Sequence, residues 1–220
     1  HGNPTWSYYY RHLIPVLAKH HRVIVPDHIG CGLSDKPGDY PYCLVSHIEN
    51  LTSLLDSLQI DRLDLVVHDW GGAIGMGYAT KHLERIGKIV VLNTAAFRSS
   101  RIPLRISVCR WPLIGKLIVR GLNGCARPAC YMAVEKPLDP RTREAYLKPY
   151  DSWHNRVAIY EFVKDIPLDS DHPSYRRLVQ MEEQLESIRK RGIPMLIAWG
   201  GKDFCFNDHF YREWCERFPQ

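Results

Sequence analysis

The sequence predicts an α/β fold in which a mostly parallel sheet has helices on both faces and a helical insertion. Short apolar runs alternate with segments of helical periodicity, which is the pattern of a parallel sheet covered by helices. One apolar run passes directly into a helix through a glycine-flanked turn at Asp69. Residues 97–191 show only helical periodicity, and a strand pattern returns after them.

The composition is that of a globular protein. The chain has 220 residues, of which 45% are hydrophobic and 24% charged, so a core can form without disulfides or metals. No apolar run approaches the roughly 18 residues of a membrane span, and no secretory leader is present. We expect a cytoplasmic protein, because the cysteine pattern described below suits thiols in a reducing compartment. Because the chain begins at His1, directly within a recognisable motif, we also expect it to be truncated.

The cysteine pattern predicts neither a disulfide framework nor a metal site. The count of seven is odd and no C-x-x-C pair occurs. The Gly30-Cys31-Gly32 stretch is followed by Lys36-Pro37-Gly38, which prevents the helix that a dinucleotide-binding loop requires. We expect reduced thiols and predict no metal and no cofactor. The cysteines lie at positions 31, 43, 109, 125, 130, 205 and 215.

Positive charge is concentrated in one segment, residues 98–127. The net charge is +5, and no Asp or Glu occurs between Arg85 and Val134. A basic, amphipathic segment of this kind can lie on a membrane surface or contact a partner in a multienzyme assembly. The alternative is an insertion helix with a solvated basic face. The segment lacks the motifs of nucleic-acid binders, so no nucleic-acid partner is predicted. Its basic residues are Arg98, Arg101, Arg105, Arg110, Lys116, Arg120 and Arg127.

The first elements of the fold are predicted before the Asp69 turn. The apolar run 23–25 ends at Pro26-Asp27 and predicts a buried strand. Apolar positions three and four residues apart predict a helix over 46–58. We expect Ser46 to cap this helix, with Glu49 completing a capping box.

Further strands and helices are predicted around the turn and after the insertion. The apolar run Leu63–Val67 predicts a strand, and residues 71–83 predict a helix. Glycine is a poor helix former, so Gly72, Gly75 and Gly77 indicate close packing of this helix on the sheet. Strands are also predicted at 89–92 and 195–198, followed by a helix at 208–218.

The order of these elements predicts a core interrupted by a lid. A helical block of roughly 95 residues between two sheet strands is best explained as an insertion into the main domain. The predicted division is a first part of the core at 1–96, a helical lid at 97–191, and a second part of the core at 192–220.

The strongest functional signal is the turn at Asp69. A buried strand that enters a helix through a tight turn, with glycines behind the apex, predicts a nucleophile elbow. The helix N-terminus beside Asp69 offers N–H groups and the positive end of a dipole, which favour an anion there. The alternative is that Asp69 merely caps its helix.

Two further segments fit the same site. Residues 1–4 are predicted to form a loop beside the turn, whose backbone N–H can pair with that of Trp70 to hold an oxyanion. The Asn3 amide and the Trp70 indole are two more donors that can face one anion. Asp203 follows the last predicted strand, where an acid can orient a catalytic histidine. The alternative for Asp203 is a residue of a surface turn.

Several motifs together resemble one family. The chain is similar along essentially its whole length to the haloalkane dehalogenase group of α/β-hydrolases, through HGNPTWSYYYRHL, VPDHIGCGLSDKP, VVHDWGG, VLNTAAF and WGGKDFCF. Further motifs more specifically resemble the β-lactone decarboxylases of bacterial long-chain olefin biosynthesis, and these are YLKPY, WHNR, DIPL and DFCFNDHF. The resemblance implies an α/β-hydrolase fold with an inserted helical lid.

The resemblance also implies residue roles. Asp69 would be the nucleophile and Asp203 the triad acid, while Asn3 and Trp70 would stabilise the leaving anion. The family's catalytic histidine lies in a loop after the last strand, so we expect it beyond Gln220 and expect the present chain to be inactive. Strands ahead of His1 are expected to be missing as well.

Three functions remain open at this point. The first is a β-lactone decarboxylase acting on long alkyl chains, and the second is a haloalkane dehalogenase with the same catalytic residues. The third is a non-catalytic binding protein on a hydrolase scaffold. We expect a hydrophobic small-molecule substrate, and Trp153 is a candidate for lining its pocket, the alternative being a core residue. The sequence makes no prediction of the oligomeric state.

Overall fold

The structure is a computed structural model that describes residues 1–219. The chain divides into two compact units, one formed by His1–Tyr40 with Leu104–Lys164 and the other by Pro41–Pro103 with Asp165–Gln220. These units group the residues differently from the predicted core and lid, whose division stays a prediction.

Helices dominate the described chain. Residues 97–191 contain only helices and connecting segments, as their periodicity predicts. The α-helices are α1 Ile14–Leu17, α2 Leu44–Ser57, α3 Trp70–Ala79, α4 Leu104–Cys109, α5 Pro112–Lys116, α6 Ala126–Met132, α7 Pro140–Leu147, α8 Val157–Lys164, α9 Tyr175–Lys190 and α10 Asp208–Arg217. Single turns of 3₁₀-helix lie at Ser7–Tyr10, Leu83–Arg85, Lys148–Tyr150 and His154–Arg156, and a π-helix lies at Leu117–Gly121. Within residues 1–219, no helix combines the length and the apolarity that crossing a membrane requires.

A parallel sheet lies in the second unit. Its strands are β1 Leu63–Val67, β2 Ile86–Leu92 and β3 Met195–Ala198, in the order β1-β2-β3. All pairs are parallel, and Val91 lies opposite Val67 on one side and Ile197 on the other. The predicted parallel sheet and its strands at 63–67 and 195–198 are confirmed, and β2 begins three residues before the predicted 89–92.

The predicted strand at 23–25 is wrong. Residues 22–28 pair with no strand of residues 1–219. An apolar run becomes a strand only where a neighbour satisfies its backbone N–H and C=O groups, and no described segment does so here.

The predicted start of α2 is also wrong, because a distant carboxylate caps this helix. The helix begins at Leu44, and the Cys43 side chain at its N-cap makes no capping hydrogen bond to a backbone N–H. The backbone N–H of Leu44 donates to the buried Asp165 carboxylate at 2.7 Å, and the Ser174 hydroxyl donates to the same group at 2.6 Å. Ser46 therefore lies inside the helix, and the predicted capping box with Glu49 does not form.

The glycines of α3 allow the close packing that the sequence predicts. A Cβ atom at Gly75 would lie 2.6 Å from Cγ1 of Val67 on β1, and one at Gly77 would lie 2.3 Å from Cδ1 of Ile48 on α2. A larger residue at Gly75 would clash with the β-branched Val67, and one at Gly77 would require the Ile48 side chain to move. The sheet and α2 therefore hold α3, and with it the turn at Asp69.

The first unit has a core of its own. It contains Val119 of the π-helix together with Tyr150 and Ile159, which are fully buried. Beside this core the buried Arg156 guanidinium donates to the carbonyl groups of Tyr150, Asp151, Arg120 and Gly121. These bonds satisfy the buried charge and cap the last carbonyls of the π-helix.

Candidate active site

Asp69 occupies a strained turn between β1 and α3. Its φ of 51° and ψ of −128° are uncommon for a residue with a side chain. The backbone holds this conformation from both sides, since the Asp69 N–H donates to the Asn93 carbonyl at 2.9 Å and the Gly72 N–H donates to the Asp69 carbonyl at 2.9 Å. The chain thus reverses sharply at the carboxyl end of β1, which is the geometry of a nucleophile elbow.

The Asp69 side chain does not cap α3. Although Asp69 is the N-cap residue by position, its carboxylate accepts no capping hydrogen bond from the first turn. A capping aspartate would accept a bond from the second or third N–H of the helix. The capping explanation of Asp69 is therefore not supported, while the positive end of the α3 dipole still favours a negative charge at this place.

Thr94, two residues after the end of β2, supports the turn from the neighbouring strand. Its hydroxyl donates to the Asp69 carbonyl, and its own carbonyl accepts a 2.9 Å bond from the Trp214 indole of α10. A Cβ atom at Gly72 would lie 1.9 Å from the Thr94 Oγ1, so only glycine fits beside this hydroxyl. Sequence reasoning assigned no role to Thr94, which it used only within the motif VLNTAAF.

Asn93 connects the turn to the loop that carries Asp203. The Asn93 Oδ1 accepts from the Gly200 N–H at 2.8 Å, and its Nδ2 donates to the carbonyls of Gly200 at 3.0 Å and Phe206 at 3.4 Å. The backbone carbonyl of Asn93 also accepts from the Asp69 N–H. Asn93 therefore contacts both the turn that carries Asp69 and the loop that carries Asp203. The residues that follow β1, β2 and β3 therefore form one hydrogen-bonded group at the carboxyl edge of the sheet.

Asp203 is held by its own loop. Its Oδ1 accepts from the backbone N–H groups of Cys205 at 2.7 Å and Phe206 at 3.0 Å. Within residues 1–219 no histidine ring hydrogen-bonds to this carboxylate, and His209 lies in the first turn of α10 with its ring against Phe210. The histidine predicted to pair with Asp203 would lie outside the described residues.

His68, which precedes Asp69, is a neutral group at the site. Burial lowers its pKa from 6.5 to about 3, because the charged imidazolium would lose its hydration there. The ring therefore adds no positive charge beside the Asp69 carboxylate near pH 7.

The predicted anion-binding residues lie in different units. Trp70 is the first residue of α3 and is half-buried. Asn3 belongs to the first unit, where its Nδ2 donates to the Ile159 carbonyl at 3.1 Å. The loop that carries Asn3 is fixed at its start, since the His1 Nε2 accepts from the His28 N–H at 3.1 Å. The pairing of Asn3 with Trp70 around one anion stays a prediction.

Trp153 lies at the surface of the first unit. Trp153 is 44% exposed, and the Arg120 guanidinium lies 4.8 Å from the centre of its ring. A role for Trp153 in a substrate pocket stays a prediction.

The described residues offer no preformed metal site. No group of three or more His, Cys, Asp or Glu side chains in residues 1–219 is arranged to hold a metal ion. All seven cysteines are free thiols, and burial raises the pKa of the Cys31 thiol to about 12.

The sheet, the strained Asp69 turn and the acid after a later strand together define an α/β-hydrolase. A family model described as alpha/beta hydrolase fold matches residues 1–108. With a relative that is 46% identical over the whole chain, this match shows that the chain belongs to the family.

Among its relatives are two decarboxylases. The chain is 46% identical to the cis-3-alkyl-4-alkyloxetan-2-one decarboxylase of Shewanella oneidensis over its whole length and 70% of that protein. It is 39% identical to the enzyme of the same name from Xanthomonas campestris, again over its whole length and 76% of that protein.

A solved structure with the same fold is the haloalkane dehalogenase DatA from Agrobacterium tumefaciens. It superposes with a TM-score of 0.85 at 26% identity, over 99% of this chain and 76% of that one. The expected relationship to both groups of enzymes is confirmed.

Proposed function

We propose that this protein is a β-lactone decarboxylase that converts a cis-3,4-dialkyl-oxetan-2-one into an alkene and carbon dioxide. The observation that carries the proposal is the Asp69 carboxylate at a strained turn, where it does not cap its helix. The substrate class is supported by the names of the two relatives that the chain matches over its whole length.

A carboxylate suits this reaction because it is ready to attack. An aspartate is ionised near pH 7 and needs no base to remove a proton, unlike a serine hydroxyl. A β-lactone is a strained four-membered ring with an electrophilic carbon bonded to the ring oxygen. The negative charge that forms when this bond breaks rests on a carboxylate, which needs hydrogen-bond donors rather than a proton.

The proposed reaction has two steps. One oxygen of Asp69 attacks ring carbon C4, the C4–O bond breaks, and its electron pair leaves on the carboxylate attached to C3. The C3–carboxylate bond then breaks to release carbon dioxide, and its electrons form the C3–C4 double bond. The ester bond between C4 and Asp69 breaks in the same step, and its electrons restore the Asp69 carboxylate. No water is consumed.

The other residues of the site have supporting roles in this proposal. Asn3 and Trp70 hold the carboxylate that forms in the first step, through the amide and indole N–H groups. Asp203 orients a histidine in the way of a catalytic triad. Asn93 keeps the Asp203 loop and the Asp69 turn in register through its hydrogen bonds to both.

Haloalkane dehalogenation is the second candidate. It is favoured by the similarity to DatA, and its first step is the same attack of a carboxylate on an alkyl carbon, with a halide as the leaving group. Hydrolysis of the resulting ester requires water and a base, so the pair formed by Asp203 and a histidine would be indispensable in that reaction.

Substrate comparison separates the two candidates. The natural gene product is incubated with a long-chain cis-β-lactone and, separately, with a 1-bromoalkane of equal chain length. We expect alkene and carbon dioxide from the lactone and little bromide from the bromoalkane. Bromide release without alkene formation would establish the dehalogenase instead.

The nucleophile is tested by Asp69→Asn, which keeps the shape of the side chain but removes its charge. We expect turnover to fall at least about 10³-fold with either substrate, because no covalent ester can form. Asp61→Asn, on the exposed loop before β1, is the matched control and should retain full activity. Undiminished activity of the Asp69 variant would rule out the proposed chemistry.

We also propose a cytoplasmic location. It is supported by the seven free thiols, since reduced cysteines persist in a reducing compartment. Recovery of the natural gene product from a periplasmic or extracellular fraction would contradict it.

A further inference from the structure

The helical run formed by α5 and the π-helix leaves most of its apolar side chains exposed. Leu113 is 84% exposed, Leu117 60% and Ile114 51%, and Trp111 just before α5 is 53% exposed. Only Gly115 and Val119 of residues 112–121 are buried. Isolated exposed leucines are common, but several within one short helix form a patch that marks an interaction site.

The orientation of this run is fixed by the side that packs. A Cβ atom at Gly115 would lie 2.1 Å from the Cys109 carbonyl oxygen, so the helix rests directly on the end of α4. Val119 is fully buried and belongs to the core of the first unit. At the far end, Arg156 binds the carbonyls of Arg120 and Gly121. The leucines therefore cannot turn inward without breaking these contacts.

Positive charge surrounds the exposed apolar side chains. No acidic residue occurs in positions 86–134. Within residues 1–219, Arg110, Lys116 and Arg120 form no ion pair with a carboxylate. The cations of Arg120 and Lys116 instead lie 4.8 Å and 6.0 Å from the centre of the Trp153 ring. We call this surface the basic apolar face, formed by Trp111, Leu113, Ile114, Lys116, Leu117 and Arg120.

We propose that the basic apolar face binds the surface of a membrane that contains anionic lipids. The apolar side chains would enter the boundary between headgroups and acyl chains, where amphipathic helices lie in the plane of the membrane. Lys116 and Arg120 would contact the phosphate groups, since cations near an anionic bilayer are attracted to it. Long cationic side chains can keep their charge at the headgroups while their stems cover apolar surface.

The charge of this face argues against a second copy of the chain as the occupant. In a two-fold symmetric dimer the same patch would face itself, which would bring Lys116 and Arg120 close to their own symmetry mates. Residues 86–134 contain no carboxylate of their own to offset this repulsion. An anionic lipid surface supplies both the missing negative charge and an apolar phase.

Vesicle co-sedimentation of the natural gene product tests the proposal. The probes are phosphatidylcholine vesicles with about a quarter phosphatidylglycerol and vesicles of phosphatidylcholine alone. We expect binding to the mixed vesicles, weak binding to the neutral ones, and a marked loss of binding as sodium chloride is raised.

Paired variants assign the binding to the face. The double substitution Leu113→Ser with Leu117→Ser should weaken binding about tenfold or more, since two leucines leave the apolar phase. Its control is Leu33→Ser, at a leucine that is 80% exposed and lies outside the basic apolar face. Lys116→Glu with Arg120→Glu should lower binding to anionic vesicles by a similar factor. Its control is Arg62→Glu, on the exposed loop before β1. Circular dichroism and the thermal midpoint show that each variant is folded.

Three results would overturn the proposal. They are no binding to either vesicle, equal binding to neutral and anionic vesicles, and unchanged binding of both double variants. A doubled mass in light scattering that the leucine variants reduce to the monomer, together with no vesicle binding, would assign the face to self-association and would equally overturn it.

Discussion

Asn93 shows how one uncharged side chain organises the site. Its backbone carbonyl accepts from the Asp69 N–H, while its amide both accepts from and donates to Gly200. Only an amide side chain carries an acceptor and a two-hydrogen donor in this arrangement. Asn93 thereby fixes the distance between the carboxyl ends of β1 and β3. The two predicted acids, Asp69 and Asp203, follow these strands.

We predict that Asn93→Ala loosens the Asp203 loop. The variant loses the side-chain bonds to Gly200 and Phe206, so the free energy of unfolding should fall by about 1–3 kcal/mol. Turnover should fall about tenfold or more, because small displacements of catalytic groups are costly. Kinetics and urea unfolding of the natural gene product measure both.

The matched control is Asn155→Ala, at a half-buried asparagine outside the predicted site whose amide donates to the Asp151 carboxylate. It should leave turnover unchanged. If Asn93→Ala keeps full turnover despite lower stability, Asn93 supports the fold but does not position the acid.

At this scale sequence reasoning singles out charged residues and passes over neutral ones. Asp69 and Asp203 are recognisable because a carboxylate directly after a buried strand is chemically distinctive. Asn93 and Thr94 follow β2 in the same way, but amides and hydroxyls are common at strand ends. Their roles depend on partners such as Gly200 and Trp214, which the chain brings together only on folding.

Among elements, those determined by local pattern are predicted well and those that need a distant partner are not. The strand Leu63–Val67 is an apolar run with a parallel neighbour, and its bounds match the prediction. The start of α2 depends on Asp165, whose carboxylate binds the Leu44 N–H from 121 positions along the chain. The run 23–25 has the composition of a strand but no described neighbour to pair with.

The packing of α3 gives a prediction at this scale. Gly72→Ala would place a methyl group where the Thr94 hydroxyl lies, at 1.9 Å, so the helix or Thr94 must move. We expect the free energy of unfolding to fall by about 1–3 kcal/mol, against the usual gain from Gly→Ala in a helix. Turnover should fall as well, because the Asp69 turn moves with the helix.

Gly38→Ala is the control for this variant, since a Cβ atom at Gly38 meets no atom within 4 Å. Urea unfolding of both variants should show a loss for Gly72→Ala only. Equal stability of the two would show that Thr94 yields without strain.

On the scale of the whole molecule, two buried histidines link stability to pH. Burial lowers the pKa of His47 to about 4 and that of His68 to about 3, from an ordinary value of 6.5. Between these values and 6.5 the unfolded chain binds protons that the folded chain excludes. Stability therefore falls as the pH drops below about 6.5.

We predict a corresponding slope in acid. Each histidine should contribute up to about 1.4 kcal/mol of lost stability per pH unit, down to about pH 4 for His47 and pH 3 for His68. His47→Gln should reduce the slope by roughly half between pH 6 and pH 4.5. A slope that His47→Gln leaves unchanged would assign the acid sensitivity to other groups.

The turn at Asp69 has a consequence for the evolution of the enzyme. Its positive φ is a conformation that glycine adopts without penalty and alanine does not. We therefore expect the Asp69→Gly variant to be more stable than the Asp69→Ala variant, with a free energy of unfolding about 1 kcal/mol higher. At ordinary positions the alanine variant is the more stable of the two. Comparison of the two by urea denaturation tests this. Selection for robustness alone would then erase the acid, so its persistence at this position has to be maintained by the reaction.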